Sequence, residues 1–155
     1  MKQQRERGQS LAEFALVAPL LFILIFGIID IARLYQAWVT VQGAAREGAR
    51  YGVTGRTDCE LYTDDRAGCV EFVALAQAAS LPGSADGLSV STKSWAFPEY
   101  TTQSAAGDPG AQCDMIEVSV GYDYEPSTPV ISKLIGGVHI TGTERLVNEP
   151  FGTCQ

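Results

Sequence analysis

The residue whose type and position most limit the chemistry of this chain is Glu13, a carboxylate at the start of a long apolar run. From Phe14 to Ile29 no other charged side chain occurs. A charged side chain within a lipid-embedded helix costs up to roughly 3 kcal/mol on insertion scales and is normally retained for a function. We therefore expect Glu13 to act in recognition and assembly. The alternative is a carboxylate that simply reaches water at the headgroup boundary.

Catalytic chemistry has little support elsewhere in the chain. His139 is the single histidine, so a nucleophilic triad would depend on it alone, in a predicted strand. An acidic cluster of the kind that binds calcium is present, but it lacks the spacing of a calcium loop, which favours a solvated loop. Its members are Asp58, Glu60, Asp64 and Asp65. We therefore expect no enzyme, no cofactor and no small-molecule substrate.

All four cysteines follow the apolar run, at Cys59, Cys69, Cys113 and Cys154. Disulfides persist outside the cytoplasm, and four cysteines allow three connectivities. Loop closure favours Cys59 with Cys69, because a ten-residue separation closes cheaply, and leaves Cys113 to bond Cys154. Zinc is the competing use, but it usually needs paired C-x-x-C spacing, whereas the gaps here are 9, 43 and 40 residues. Disulfides are therefore expected, and a metal is not.

The apolar run is long enough, with its flanks, to cross a membrane. Phe14 to Ile29 is 16 residues, or about 24 Å of helix, and flanking apolar positions close the gap to the roughly 30 Å hydrocarbon core. Lys2, Arg5 and Arg7 precede the run, and acidic residues dominate the long segment after it. By the positive-inside rule the N-terminus lies in the cytoplasm and the remainder is exported. We expect one pass through the inner membrane.

A cleaved secretory signal is the alternative explanation of this N-terminus. The apolar run exceeds the usual length of about 7 to 15 residues in such signals, and it contains Pro19 and Gly27. The small residues Gly43-Ala44-Ala45 could formally serve as a cleavage site, but charged and aromatic residues separate them from the run. A retained anchor is therefore the better interpretation.

The charge balance argues against nucleic acid as a partner. The chain has 155 residues and a formal net charge of -7, whereas nucleic-acid binding needs a basic surface. About 50 residues belong to the N-terminal helical stretch, so roughly 100 remain, which is near the commonest domain size. One small exported domain is therefore expected.

The helix is predicted to continue past the membrane as far as Gly52 to Gly55, since no proline follows Pro19 before Pro82. Its apolar residues recur at intervals of three and four, which indicates one buried stripe. Toward the end of the helix the residues of this stripe become smaller. They are Gly43, Ala44, Ala45, Gly48, Ala49 and Gly52. Small residues let helices approach closely. This face can pack on the protein's own domain or on neighbouring subunits.

The remaining residues predict a mixed domain. An alanine-rich helix is expected over residues 66–80, and a helical turn over 130–135. Alternation of apolar and polar residues predicts three strands, over residues 88–92, 115–124 and 138–147. Residues 97–112, rich in Pro, Gly, Ser and Thr, predict a long loop that is either a contact surface or disordered. The fold class is therefore α+β, with a long N-terminal transmembrane and amphipathic helix followed by a small domain with an antiparallel sheet.

Several motifs stand together in this sequence. They are the basic leader ending in Gly8, the pair Glu13-Phe14, Ala15-Leu16-Val17 followed by Pro19, the segment Ala44-Ala45-Arg46-Glu47-Gly48-Ala49-Arg50, and a late strand closing in Glu144-Arg145-Leu146. In this combination the chain resembles the TadE-like pseudopilins, minor pilins of the tight-adherence (Tad/Flp) type IV pilus system. The resemblance is close over the N-terminal third and general over the rest. It does not include the four cysteines or residues 57–112.

The resemblance implies cleavage by a prepilin peptidase between Gly8 and Gln9, which makes Glu13 the fifth residue of the mature chain. A glycine before the scissile bond lets the backbone enter a narrow intramembrane active site, and a basic leader stays at the cytoplasmic surface. The new ammonium at Gln9 would lie about one turn from Glu13, where an ion pair offsets the burial of both charges. The resemblance thus implies recognition and assembly roles for Glu13 and Phe14.

The organisation that follows has four parts: a cytoplasmic leader at 1–8, a transmembrane segment at 9–34, an amphipathic continuation at 35–56 and an exported, pilin-like α+β domain at 57–155. The implied function is that of a minor pilin in pilus assembly and surface adhesion. Its implied partners are the prepilin peptidase, other pilins and pseudopilins, pilus assembly components and the membrane. Three rivals stay open: a general secretion pseudopilin or other signal-anchored protein, a tethered binding module or adhesin outside any filament, and a tethered hydrolase built on His139.

Overall fold

One continuous helix, α1, occupies Lys2–Val53. The computed structural model describes residues 2–83, 87–150 and 153–154, with the side chains of α1 described from Leu11 onward. Pro19 lies inside the helix. The helix ends in a turn in which Thr54 N donates to Tyr51 O at 3.2 Å and Gly55 adopts a φ of 70°. A left-handed residue of this kind favours glycine, so the predicted end near Gly52 to Gly55 is confirmed.

The second helix, α2, spans Arg66–Ala78. Asp65 caps its N-terminus, because the carboxylate accepts a hydrogen bond from Gly68 N at 2.9 Å. The helix stops two residues before the predicted end at Ser80, where Leu81 N donates to Ala78 O at 3.0 Å and the chain turns toward Pro82. The predicted helix is otherwise confirmed.

Three strands form one antiparallel sheet in the order β1-β2-β3, with β1 at Leu88–Trp95, β2 at Met115–Tyr124 and β3 at Val138–Val147. β2 and β3 have the predicted bounds. β1 is three residues longer than predicted, since Lys93, Ser94 and Trp95 also pair with β2. The inward residue of this extension is Ser94, which is buried. A polar residue on the buried face interrupts the apolar alternation from which strands are predicted.

The chain divides into two compact units, the first made of residues 1–35 and 125–137, the second of residues 36–124 and 138–155. Besides the first part of α1, the first unit contains a short helix, α3, at Pro129–Ile135. Pro129 stands in its first turn, and Gly136 ends it with a φ of 70°. The predicted helical turn at 130–135 is confirmed.

The core of the second unit lies between β2 and two helices. Ile116, Val118 and Val120 point inward from β2 and are fully buried, as are Val41 of α1 and Val70 of α2. β2 is the central strand, so its buried face is apolar in alternation while Glu117 and Ser119 are only partly covered. The predicted α+β class, a long apolar helix followed by a small antiparallel sheet domain, is confirmed.

The small-residue face of α1 packs on the protein's own domain. Ala44, Ala45 and Ala49 are fully buried, and a Cβ at Gly48 would lie 3.1 Å from Ala74 Cβ and 3.3 Å from Val118 Cγ1. Gly43 differs from these positions, because a Cβ there would have no atom within 4 Å. Of the two predicted uses of this face, packing within the domain accounts for its buried members.

Residues 97–112 form a loop that follows the outer edge of β1. Ser104 N donates to Ser94 O at 2.8 Å, and Gly107 N donates to Thr92 O at 2.7 Å. These bonds satisfy part of a sheet edge that would otherwise offer unpaired backbone groups to another chain. The predicted long loop is confirmed, and its role as a contact surface stays a prediction.

Candidate functional site

The first part of α1 presents a continuous apolar surface. Its large side chains are exposed at Leu11, Phe14, Leu16, Val17, Leu20, Leu21, Phe22, Ile23, Leu24, Ile25, Phe26, Ile28, Ile29 and Ile31. Within the described residues, the helical segment Leu11–Val53 is the one long and apolar enough to cross a membrane, and only 6% of its most apolar window is buried. An apolar surface of this extent needs lipid or protein around it. It is compatible with a single-pass membrane anchor.

Glu13 lies at the N-terminal end of this surface. Its side chain is exposed, and that of Phe14 is 68% exposed. Gln9 precedes Glu13 by four residues in the same helix, which places their Cα atoms about one turn apart. This spacing is compatible with the ion pair expected after cleavage at Gly8. The side chains of Lys2, Arg5, Arg7 and Gln9 lie outside the described residues, and the cleavage expected after Gly8 stays a prediction.

At the other end of the apolar run the helix carries a buried carboxylate, Asp30, which is 4% exposed. Its Oδ2 atom accepts a hydrogen bond from Thr128 N at 3.2 Å. One turn further along, Arg33 Nη1 donates to Ser127 Oγ at 2.7 Å. Both partners belong to the connection between β2 and β3. The first unit is therefore held together by polar contacts at the end of its apolar run.

An apolar cleft of about 300 Å³ lies beside these contacts. Phe22, Ile23, Phe26, Thr128, Pro129 and Ile131 line it. Ile131 Cδ1 lies 3.7 Å from where a Cβ would be on Gly27. Gly27 thus provides room for α3 to lie directly on the apolar part of α1.

The sequence pattern predicted the helical turn at 130–135 but did not indicate that the connection containing it contacts Asp30. A signal was available, because Asp30 ends a run of 16 uncharged residues and Val130–Ile135 is an apolar piece isolated between Pro129 and Gly136. What the pattern lacked was the tertiary position of the β2–β3 connection. Without that position, the contact between the apolar run of α1 and residues 130–135 could not be predicted.

Two disulfides stabilise the second unit. Cys59 bonds Cys69, with their Cα atoms 5.6 Å apart, and Cys113 bonds Cys154, with a Cα separation of 5.7 Å. These are the pairs that loop closure favours. The first fastens the loop after α1 to the buried side of α2, since Cys69 is fully buried. The second fastens the C-terminal segment to the turn before β2.

Arg66, the first residue of α2, joins the end of α1 to the loop before β2. Its guanidinium donates to the backbone carbonyls of Gly52 at 2.8 Å, Gly110 at 2.7 Å and Pro109 at 3.3 Å. Burial lowers the pKa of Arg66, while the carboxylates of Asp108 and Asp114 raise it. These contacts are structural, because they satisfy carbonyls at the end of α1 and in the loop before β2.

His139 does not lie in an enclosed catalytic site. Its Nδ1 atom is 2.7 Å from Asp123 Oδ1 across the β2–β3 pair, and the two side chains are 60% and 73% exposed. A catalytic dyad works best where water is excluded. The observed pair is an exposed cross-strand contact.

The acidic cluster before α2 supports the backbone of its own loop. Asp58 Oδ1 accepts from Asp64 N at 3.2 Å, and Asp65 caps α2. Over the described parts of the chain, no three His, Cys, Asp or Glu residues are grouped so that they could hold a metal ion.

Comparison with known proteins gives one family. A family model described as "TadE-like protein" matches residues 8–50, which is most of α1 from Gly8 to the buried small-residue face. No curated protein and no solved structure matches the chain significantly. TadE-like proteins are components of the Tad pilus system and are not known as an enzyme family. The match to α1, together with the motifs that α1 carries, supports assignment of this N-terminal part of the chain as TadE-like.

Proposed function

We propose that this protein is a minor pilin or pseudopilin that takes part in assembly of a Tad/Flp-type pilus. The observation that carries the proposal is the exposed apolar surface of α1, which extends from Leu11 to Ile31 and has Glu13 near its N-terminal end. In this proposal α1 first anchors the subunit in the membrane. During assembly its contacts with lipid are then replaced by contacts with neighbouring helices. The family match, which starts at Gly8, supports the same role.

The proposed orientation places the N-terminus in the cytoplasm and the second unit outside the inner membrane. Basic residues cluster in the first seven positions, and the chain as a whole carries a charge of -7. Two disulfides in the second unit support an oxidising location. In this proposal residues 1–8 are the leader, 9–34 the transmembrane segment, 35–56 its continuation and 57–155 the exported domain.

The proposed processing step is hydrolysis of the peptide bond between Gly8 and Gln9 by a prepilin peptidase. Cleavage removes the basic residues Lys2, Arg5 and Arg7 and creates an ammonium at Gln9. Glu13 then lies about one turn from a positive charge, within this chain or on a neighbour, so that neither charge is buried alone. Neutralisation of this pair lets the helix end pack against other apolar helices.

The test is the mass of the mature protein recovered from host membranes. The wild type is expected to begin at Gln9, and Gly8→Arg is expected to retain its leader, because a long side chain before the scissile bond obstructs the peptidase. Gln4→Arg is the matched control, since it adds the same charge to the leader and leaves Gly8 in place. It should be cleaved normally.

A mature chain that begins at Met1 would contradict the proposal and favour a tethered binding module or adhesin. A mature chain that begins beyond Ala32 would indicate an ordinary secreted protein. Cleavage of Gly8→Arg at the same rate as Gln4→Arg would contradict processing by a prepilin peptidase at Gly8.

A further inference from the structure

We propose that the connection between β2 and β3, Glu125–Gly137, is a membrane-surface element that inserts α3 into the outer leaflet beside the transmembrane helix. The inference rests on the proposed membrane anchoring of α1. It adds a second lipid contact, by residues that the family match at 8–50 does not reach.

The position of α3 along α1 is the first observation. Ile131 Cδ1 lies 3.7 Å from the Cβ position of Gly27, and Gly27 lies two residues, or about 3 Å along the helix axis, before the run ends at Ile29. A bilayer whose hydrocarbon covers the apolar run therefore also covers this part of α3. The side chain of Ile131 is then at hydrocarbon depth.

The order of contacts is the second observation. Beyond Ile29, Asp30 accepts from Thr128 N at 3.2 Å and Arg33 donates to Ser127 Oγ at 2.7 Å. These polar contacts come where α1 leaves the hydrocarbon for the headgroup region. The segment therefore has its apolar contacts at apolar depth and its polar contacts at polar depth, as a bilayer requires.

The exposed residues of α3 give the third observation. Ile135 is 55% exposed, and Lys133 is exposed beside it. A large aliphatic side chain near a membrane boundary gains from insertion, while a lysine reaches outward to phosphate headgroups along its flexible stem. The helix is only seven residues long, which suits an interfacial wedge better than a groove-binding helix.

The cleft between α3 and α1 identifies lipid as the occupant. Its α1 wall consists of Phe22, Ile23 and Phe26, which belong to the exposed apolar surface that the anchoring proposal places in the bilayer. The cleft is continuous with that surface, so an acyl chain of the surrounding lipid fills it without a further partner. A helix from a second copy is the competing occupant.

The experiment is photocross-linking of the full-length chain in vesicles of phosphatidylethanolamine and phosphatidylglycerol. The photoreactive residue p-benzoylphenylalanine replaces Ile135. The matched control replaces Val147 of β3, which is 51% exposed and lies outside the proposed element. A second control replaces Leu20, in the middle of the apolar run. Covalent products are separated and weighed to distinguish lipid adducts from protein adducts.

We expect lipid adducts at Ile135 and Leu20, with a yield at Ile135 severalfold above that at Val147. A yield at Ile135 equal to that at Val147, with Leu20 still cross-linked to lipid, would overturn the inference and leave the anchoring proposal standing. Absence of lipid adducts at Leu20 would overturn both. Dimeric protein adducts at Ile135, in place of lipid adducts, would overturn the inference. They would show that a second copy of the chain, and not lipid, contacts α3.

Discussion

Gly142 of β3 lies against the backbone of Val41 in α1. A Cβ on Gly142 would be 2.8 Å from Val41 O, closer than real Cβ contacts come. On the same helix, Gln42 Nε2 donates to Thr141 O at 3.3 Å. The close approach of α1 to β3 therefore depends on a missing side chain, in a strand where a glycine otherwise weakens pairing.

Gly142→Ala is expected to lower the free energy of unfolding of the second unit by about 1 to 3 kcal/mol, because the added methyl forces α1 and β3 apart. Gly43→Ala is the matched control. It places the same methyl in open space on α1 and is expected to raise stability by about 0.5 to 1 kcal/mol, since alanine is the better helix former. Urea unfolding of the full chain in detergent, followed by near-ultraviolet circular dichroism, measures both. Equal effects of the two changes would contradict the packing.

The two disulfides are expected to contribute unequally. Removing Cys113–Cys154, whose residues are 41 apart, frees a long loop and is expected to cost about 4 kcal/mol on the chain-entropy estimate. Removing Cys59–Cys69, with a separation of 10, is expected to cost about 3 kcal/mol. Replacing both cysteines of a pair by alanine leaves no unpaired thiol from that pair. Urea unfolding compares the free energies of unfolding of the two double variants.

The redox state of the same cysteines tests the orientation. Protein recovered from host membranes is expected to resist alkylation before reduction, because the second unit is proposed to lie outside the cytoplasm. Four alkylated cysteines in unreduced protein would place that unit on the wrong side of the membrane.

Local patterns predicted the elements whose burial follows a simple period. The alternation of β2 and β3 predicted their bounds, and the leader with Glu13 indicated the family. The face containing Gly48 left two packing partners open, because small residues suit a neighbouring subunit and the protein's own sheet equally well. The contact of Asp30 with Thr128 joins residues 98 apart. Such a contact joins segments far apart in the sequence, and no local period of apolar residues encodes it.

Arg66 is expected to matter for stability because its partly buried guanidinium donates to three backbone carbonyls. Arg66→Met should lower the free energy of unfolding by about 2 to 3 kcal/mol, since carbonyls of Gly52 and Gly110 lose a charged donor. Arg66→Lys should recover part of the lost stability, because it keeps a charged donor. The recovery should be incomplete, because an ammonium donates to fewer of the three carbonyls. Arg56→Met is the control at an exposed position and is expected to change stability by less than about 0.5 kcal/mol. The same urea titration decides the order of the three variants.

The final prediction separates pilus assembly from simple anchoring, through the charge of Glu13. Glu13→Ala is expected to insert into the membrane at least as well as the wild type, because it removes a charge from the edge of an apolar helix. It should nevertheless reduce incorporation into the pilus or its assembly complex, since the ammonium of Gln9 loses the carboxylate that neutralises it.

Glu13→Gln is the matched control, because it keeps the size and polarity of the side chain and removes only the charge. If charge pairing is the role of Glu13, the glutamine and alanine variants should fail alike. If side-chain polarity at the membrane boundary is sufficient, glutamine should behave as the wild type. The measurement compares processing, membrane level and co-purification with other pilus components for the three proteins in the same cells. Normal piliation and partner recovery in both variants would leave Glu13 as a carboxylate that merely reaches water at the membrane boundary.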